Sequence, residues 1–491
     1  MDRPWWPAAA AGLEELLAYA GSRHPPKVQI SVQTRTSRAL ATRDSGDAAL
    51  VAAASVASAT SYSTIYTDLN AIVIVAGCLV LFVLAALRLV PSVPSKGSVA
   101  LSLVIALVPQ VWWPPIGNVE RGPLFQVATA LGMLAGAALI AAALVEGQRA
   151  RLAAGALGCA IVAGFTVVQA SGSPAIDVWI ILQQSTRALL HGANPYAMSF
   201  TGVPAGQTSD CFNYLPFTFL AALPGRVAFG DVRYAELLVL FGGVAMLLWA
   251  FLRTARGDRG GRMALGIVLA AMAVSLPGTL RVAQQSWNES IILGCLAAAA
   301  ALVLLGRAWW AVVPLGLALA TKQHVVLVLP LWALWRSFGP RRALVSGGLA
   351  AGICLPWVLA NPSRFYGCTV QFFIDLPARQ DSLSVWKFVP HGLQLPVVVV
   401  LTAAGYVLAY RLLDGTVSSA VFGSGLLFAA FDLANKQSFE NQWVLACQLL
   451  VLGLACRAVE RAAVEHGTPG PATLEATPRN PAFRHEGADI P

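Results

Sequence analysis

Charge is scarce in this chain. Asp, Glu, Lys and Arg make up 12% of its 491 residues, while 57% are hydrophobic; a soluble domain carries about 25% charged residues. Alternating polarity of the strand kind is missing, which excludes a membrane β-barrel. The eight cysteines contain no Cys-x-x-Cys pair and no Cys/His cluster, which argues against zinc and iron–sulfur centres. Most of them read as small apolar packing residues. There is no Asp-x-Asp pair, so no bound metal is expected, and no cofactor is implied. An apolar core of signal-peptide length does not follow the first basic residues. The net charge is +9, but the basic residues are scattered at helix ends. Without a basic face interleaved with exposed aromatics, nucleic acid is not an expected partner.

What remains is apolar blocks of roughly 15–23 residues, long enough to cross a hydrocarbon core of about 30 Å as helices. The expected fold is all-α: a polytopic transmembrane bundle of about 13 spans. The spans fall near 69–87, 98–114, 123–145, 152–170, 234–252, 262–281, 288–306, 308–321, 324–336, 343–360, 392–410, 416–433 and 442–457. The apolar stretch 214–229 is broken by Pro216, Pro224 and Gly225 and reads as re-entrant or hinged. Residues 1–68 mix both charges with many Ser and Thr and carry no spanning block, so they read as weakly ordered. Trp5, Trp6, Leu13, Leu16 and Leu17 suit a short interfacial helix there. The tail 462–491, rich in Pro, Gly, Thr and charge, reads as disordered. Helices in 69–151 precede a main module at 152–461.

Charge also orients the bundle. One set of short inter-span segments, with the region from 457, collects Arg88, Lys96, Arg149, Arg151, Arg253, Arg256, Arg259, Arg262, Arg307, Arg336, Arg341, Arg342, Arg411, Arg457 and Arg461 against the acids Glu146, Asp258 and Asp414. That set belongs on the cytoplasmic side. Asp177, Lys322, the 361–391 loop and Lys436 then lie on the extracytoplasmic face of a multi-pass cell-membrane protein.

Five polar constellations share that face. Asp177 opens the segment up to Tyr196; Ser173-Pro174 suit a helix start before it and Gly192 a stop. A carboxylate at the membrane rim is a functional candidate, although in a first helical turn it also simply complements the macrodipole. His191, Asn194, Tyr196 and Asp210 are its sequence neighbours. Gln284, Gln285, Asn288 and Glu289, with Trp287, either solvate a helix–helix turn or hydrogen-bond a sugar-like substrate stacked on the indole. Lys322, beside Gln323 and His324, sits between two apolar half-spans; it is a surface lysine or a point-charge phosphate binder. Asp432, Asn435, Lys436, Gln437, Glu440 and Asn441 crowd between two spans, as a polar pocket wall would. The 361–391 loop carries Arg364, Asp375, Arg379, Asp381 and Lys387 and is a solvated loop or a lid. Cys211 and Cys368 share the face, where a disulfide is chemically permitted.

In this order the motifs resemble the GT-C membrane glycosyltransferases, in particular glycosyltransferase family 87. Asp177, a short amphipathic helix and then Gly192-Ala193-Asn194-Pro195-Tyr196 are similar to that family's first outer loop. Tyr214-Leu215-Pro216 and the 309–331 span ending its first half in Lys322 fit as well, and Asn435 to Asn441 resembles a late element of related mannosyltransferases. The resemblance covers roughly 152–457. It implies a GT-C-like fold, a polyprenyl-phosphate sugar donor, a lipid or glycan acceptor and an inverting transfer, with mannose or else arabinose as the sugar. It makes Asp177 the catalytic base and Lys322, then Arg281 and Lys436, the cations for the donor phosphate. His191, Asn194, Tyr196, Gln285, Asn288, Glu289, Gln323, His324, Gln437, Glu440 and Asn441 become the sugar- and acceptor-binding set. The family's Gly-Gln-x-Asn is blurred here to Gln284-Gln285-Ser286-Trp287-Asn288, and three extra spans precede the Asp177 module. A transporter or flippase of a polar or lipid-linked substrate is the alternative. It would need paired repeats with broken helices, which are not seen.

Overall fold

In the computed structural model the described residues are 44–61, 68–89, 91–112, 122–204, 210–255, 261–377, 379, 382–387 and 389–465. They are helical, with no strand among them, and belong to one compact unit. Eight of the described helices are long and apolar enough to cross a membrane, which makes this a membrane-embedded helical bundle. Five shorter apolar helices accompany them. The expected spans 98–114, 262–281, 288–306 and 324–336 correspond to four of the five, and 308–321 shrinks to Val312–Leu319. Apart from 98–114, these stretches are bounded by turns at 275–278, 285–288 and 321–322. The 214–229 stretch becomes the helix Phe217–Phe229, with Pro224 inside it.

Two helices, Val417–Ala434 and Glu440–Glu465, form the axis, each 94% buried over its apolar window. Gly339–Ala360 and Leu395–Leu412 are at the periphery, 11% and 17% buried, with Leu344, Leu359, Leu395 and Val400 exposed on them. That contrast is the one expected between bundle interior and lipid: an interior helix is apolar all round because it is packed all round.

One element departs from the expectation of a weakly ordered N-terminal stretch. Ser45–Ser61 is a helix, mostly buried, packed on Asp68–Ala86, Lys96–Trp112 and Glu440–Glu465. It is made of Ala, Ser and Val, so its hydropathy is low. Small side chains are what close helix approach in a membrane requires, and Gly77 lies against Val56 for that reason. Asp47 near its start accepts from the Ser98 hydroxyl at 2.6 Å, fastening it to the helix Lys96–Trp112. The proposed interfacial helix at Trp5–Leu17 and the tail beyond 465 lie outside the described residues.

At the end of the bundle opposite Asp177, the loop residue Asp414 binds Arg457 at 2.9 Å and Thr416 through its backbone amide at 3.0 Å. Burial opposes its charge, but these donors prevail and hold Asp414 below the usual carboxylate range. Glu460 accepts from the amides of Val417 and Ser418, at the start of the helix Val417–Ala434.

The crossing that matters most for the site joins Arg233–Thr254 to Glu289–Leu304. A Cβ built on Gly243 would run into the carbonyl of Gly294, and one on Gly294 into that of Val239. This backbone-to-backbone contact sets Glu236 and Glu289, near the starts of the two helices, side by side. Replacing Gly243 with Val should cost about 1–3 kcal/mol by overpacking, seen as a lower unfolding midpoint of the detergent-purified protein. An unchanged midpoint contradicts the close crossing.

Candidate functional site

The helix Asp177–Leu190 begins and ends as its sequence dictates. Ile176 is extended, Asp177 starts the first turn, and Gly192 at φ +75° ends the segment in a conformation that favours glycine. Val178, Ile181, Leu182 and Ser185, spaced three and four apart, form its buried face. Asp177 is half-buried and its Oδ1 accepts from the Val178 amide at 2.8 Å.

A fully buried arginine fastens the flanks of Asp177. Arg233 forms a fork with Asp231, Nη2 to Oδ2 at 2.6 Å and Nε to Oδ1 at 3.0 Å. It also donates to the Ser171 hydroxyl at 2.9 Å and to the Gln284 carbonyl at 3.0 Å. Its guanidinium lies 5.6 Å from the Trp179 ring centre, and the Trp179 indole donates to Asp231 at 3.3 Å. The segments before and after Asp177 are thereby tied to the turn that follows Thr279–Gln284. Asp231, Arg233 and Glu236 were not singled out from the sequence. Three ionisable residues at the mouth of a spanning run were the available signal.

Two broken stretches meet at Lys322. The amides of Leu215 and Phe217 donate to the carbonyls of Thr321 and Ala320 at 3.1 and 2.9 Å, and the Thr218 hydroxyl to Thr321 at 2.6 Å. Backbone groups freed by the helix break are thus satisfied within the protein, as membrane burial demands. Lys322 Nζ then reaches Glu289 Oε1 at 2.7 Å, and the Asn441 amide donates to the same oxygen at 2.7 Å. Glu289 is 1% exposed. Lys322 Nζ is also 5.8 Å from the ring centre of Tyr214. Burial, and after it the charges of Asp177, Glu289 and Glu236, push the Tyr214 phenol well above its ordinary range. The charges of Asp177 and Glu289 thus both act on this one tyrosine, over which Lys322 also lies.

Gln284, Gln285, Ser286, Asn288 and Glu289 are all buried, so the turn they form is not a solvated one. Ser286 has φ +58°, rare for a residue with a side chain, and its hydroxyl donates to Glu236 at 2.6 Å. Asn288 is 1% exposed and neither of its amide atoms has a hydrogen-bond partner. Asn213 Oδ1, Glu236 Oε2, Glu289 Oε2 and Asp432 Oδ1 are likewise buried without one. Each such atom costs about 1–3 kcal/mol.

The other expected residues divide. Arg281 pairs with Glu440 at 3.1 Å, and Lys436 donates to the carbonyls of Ile374 and Leu376 at 2.8 and 2.7 Å. Gln437 reaches the Pro377 carbonyl at 3.3 Å and Gln323 those of Asn213 and Thr369. Together with amide bonds from Leu383 to Ser438 and from Arg379 to Lys436, these pin the 361–391 segment onto the 434–443 turn. Asp381 and the Lys387 side chain lie outside the described residues. The His324 ring packs on Phe428 and Phe431. His191 is exposed and bonded to the Arg187 carbonyl of its own helix. Asn194 caps the turn Pro195–Ala197. Tyr196 is fully buried among Phe212, Phe219, Trp357 and Phe365, its hydroxyl on the Tyr214 carbonyl at 2.8 Å. The Asn-Pro-Tyr motif thus supports Tyr214 from behind. The described residues contain no group of three His, Cys, Asp or Glu side chains able to hold a metal ion.

Cys211 and Cys368 are joined in a disulfide between residues 157 apart in sequence, which ties the 361–391 segment to the strand of chain before Tyr214. Cys211 and Cys368 should resist alkylation until reduced. Cys368→Ser should lower unfolding stability by about 2–4 kcal/mol. Alkylation of both in the unreduced protein contradicts the bridge. No family model, no curated protein and no solved structure matches this chain.

Proposed function

We propose that this protein is an integral-membrane glycosyltransferase that moves a sugar from a polyprenyl-phosphate donor to a lipid or glycan acceptor. The observation that carries the reading is that Lys322, paired with Glu289, lies over the ring of Tyr214, on whose phenol the charge of Asp177 also acts. In this reading the Asp177 carboxylate takes the proton of an acceptor hydroxyl while that oxygen bonds to the anomeric carbon. The anomeric carbon–phosphate oxygen bond breaks, its electron pair leaves with the lipid phosphate, and the configuration inverts. The disulfide between Cys211 and Cys368 supports an extracytoplasmic location for this end of the bundle, because such bonds persist in oxidising compartments.

The leaving phosphate needs positive charge nearby. Lys322 and Arg281 already meet carboxylates, whereas the hydrogen bonds of Lys436 among the described residues go to carbonyl oxygens. Lys436 is therefore the best available cation. Burial pushes its ammonium below the ordinary lysine range, with Asp375 opposing. Activity that needs this charge should fall as pH rises through the lowered value, and Lys436→Arg should move that fall to higher pH. An identical alkaline limb in the variant removes Lys436 from the phosphate site.

The direct test is incubation of the purified protein with labelled polyprenyl-phosphate mannose or arabinose and membrane acceptors. Asp177→Asn should lower turnover by about 10²–10⁴-fold, the usual share of a general base, with little change in melting. Full activity in that variant ends the reading. A transporter or flippase is the second reading, favoured by buried charges at helix breaks, as in transporters with discontinuous helices. Movement of the lipid-linked sugar across vesicles with no transfer would decide for it.

A further inference from the structure

The span Gly339–Ala360 is followed at once by a second helical run. Asn361 makes the break: its backbone is non-helical, at φ −159° and ψ +82°, and its side chain accepts from the Arg364 amide at 3.2 Å. Pro362 takes the first helical position, where its missing amide costs nothing. The new run, Pro362–Tyr366, passes into a π-helical turn at Gly367–Gln371 and ends in Phe372–Asp375. Its inner face is fastened to the site. Cys368 is bridged to Cys211, the Thr369 carbonyl accepts from Gln323 at 3.0 Å, and the Phe365 ring centre is 4.8 Å from that of Tyr196.

The outer face is apolar and uncovered. Pro362, Tyr366, Val370 and Ile374 recur every fourth residue and are exposed, the last three at 52%, 41% and 59%. A step of four residues overshoots an α turn of about 3.6 and falls short of the wider π turn. The drift of the α turns is therefore opposed by that of the π turn, and the four side chains stay in one strip. The polar groups of the run are engaged elsewhere: Arg364 donates to the Asp210 carbonyl at 3.1 Å and Gln371 to Asp375 at 2.7 Å. The carbonyls of Ile374 and Leu376, left over at the C-terminal end, accept from the Lys436 ammonium at 2.8 and 2.7 Å. A helix end whose carbonyls are met in this way can lie against hydrocarbon, where unpaired carbonyls cannot.

What covers the strip follows from what it continues. Leu355 and Leu359, 52% and 72% exposed, are on the last turns of Gly339–Ala360, the least buried of the eight long apolar helices. They face lipid, and Pro362 comes three residues after Leu359. An apolar strip that leaves a lipid-facing span at its end, with charged residues beside it, is the pattern of a helix lying in the membrane surface. Tyrosine is enriched at that depth. We propose that Pro362–Asp375 is a membrane-seated strap, whose partner is the acyl-chain region of the leaflet at the Asp177 end of the bundle, held through Tyr366, Val370 and Ile374. Phe365, Cys368 and Thr369 grip the Tyr196, Cys211 and Gln323 segments from the other face, so lipid contact on one side positions the site on the other. This goes beyond the transferase reading and does not depend on it.

The test uses the full-length wild-type protein in nanodiscs of phosphatidylcholine that carries a diazirine in the upper part of one acyl chain. A water-soluble diazirine is the counterpart, and labelled residues are mapped by mass spectrometry. Acyl label should appear on Tyr366, Val370 and Ile374 as it does on Leu355 and Leu359, while the water-soluble reagent marks Ser363 and spares the strip. Val370→Asp combined with Ile374→Asp changes the outer face and leaves the inner one untouched. Acyl label on 362–375 should then fall several-fold, with Leu359 still labelled and Cys211 and Cys368 still protected from alkylation. Acyl label that stops at Leu359 means that water or a second chain covers the strip, and overturns the proposal. So does marking of the strip by the water-soluble reagent as heavy as that of Ser363, or a double variant that keeps the wild-type acyl label.

Discussion

An unpaired charge inside a membrane bundle is too costly to keep, and the contact between Lys322 and Glu289 removes two of them at once. The rest of this end of the molecule is arranged around that contact. Lys322 comes from a break between short helices, Glu289 from the start of the helix Glu289–Leu304, and Asn441 from the first turn of the buried helix Glu440–Glu465. Tyr214 brings in the 210–216 segment, and through it the helix that starts at Asp177. Four stretches far apart in the chain are thus held by one carboxylate, one ammonium, one amide and one ring.

The same contact changes what the site is suited to bind. Lysine and arginine at a membrane rim invite a phosphate, but Lys322 and Arg281 each face a buried carboxylate. What is left over is mostly oxygen acceptors, on Asn213, Glu236, Asn288, Glu289 and Asp432. Lys436, by contrast, rests on the carbonyls of the 361–391 segment.

Much of this architecture was legible in the sequence because it is local. Ser173-Pro174 and Gly192 bound the Asp177 helix, and the long apolar runs became long helices. Signals failed where partners are distant or side chains small. Glu289 is 33 residues from Lys322, and nothing in either segment names the other. The Ser45–Ser61 helix was hidden by its Ala and Ser content, the property that lets it pack so closely. Arg233 looked like one more helix-end arginine, yet it is fully buried and holds both flanks of Asp177. Asn-Pro-Tyr at 194–196 was legible as a motif but not in its role, which is packing behind Tyr214.

The dependence of the site on its ion pair can be measured in a double-mutant cycle. Lys322→Met, Glu289→Gln and the double variant are compared by equilibrium unfolding in detergent. Each single change should destabilise by about 3–5 kcal/mol, because it strands or weakens a buried charge. The double should cost less than the sum of the two, with a coupling of about 0.5–3 kcal/mol. Strictly additive losses would contradict the account, since they would mean that Lys322 and Glu289 do not hold this end of the bundle together.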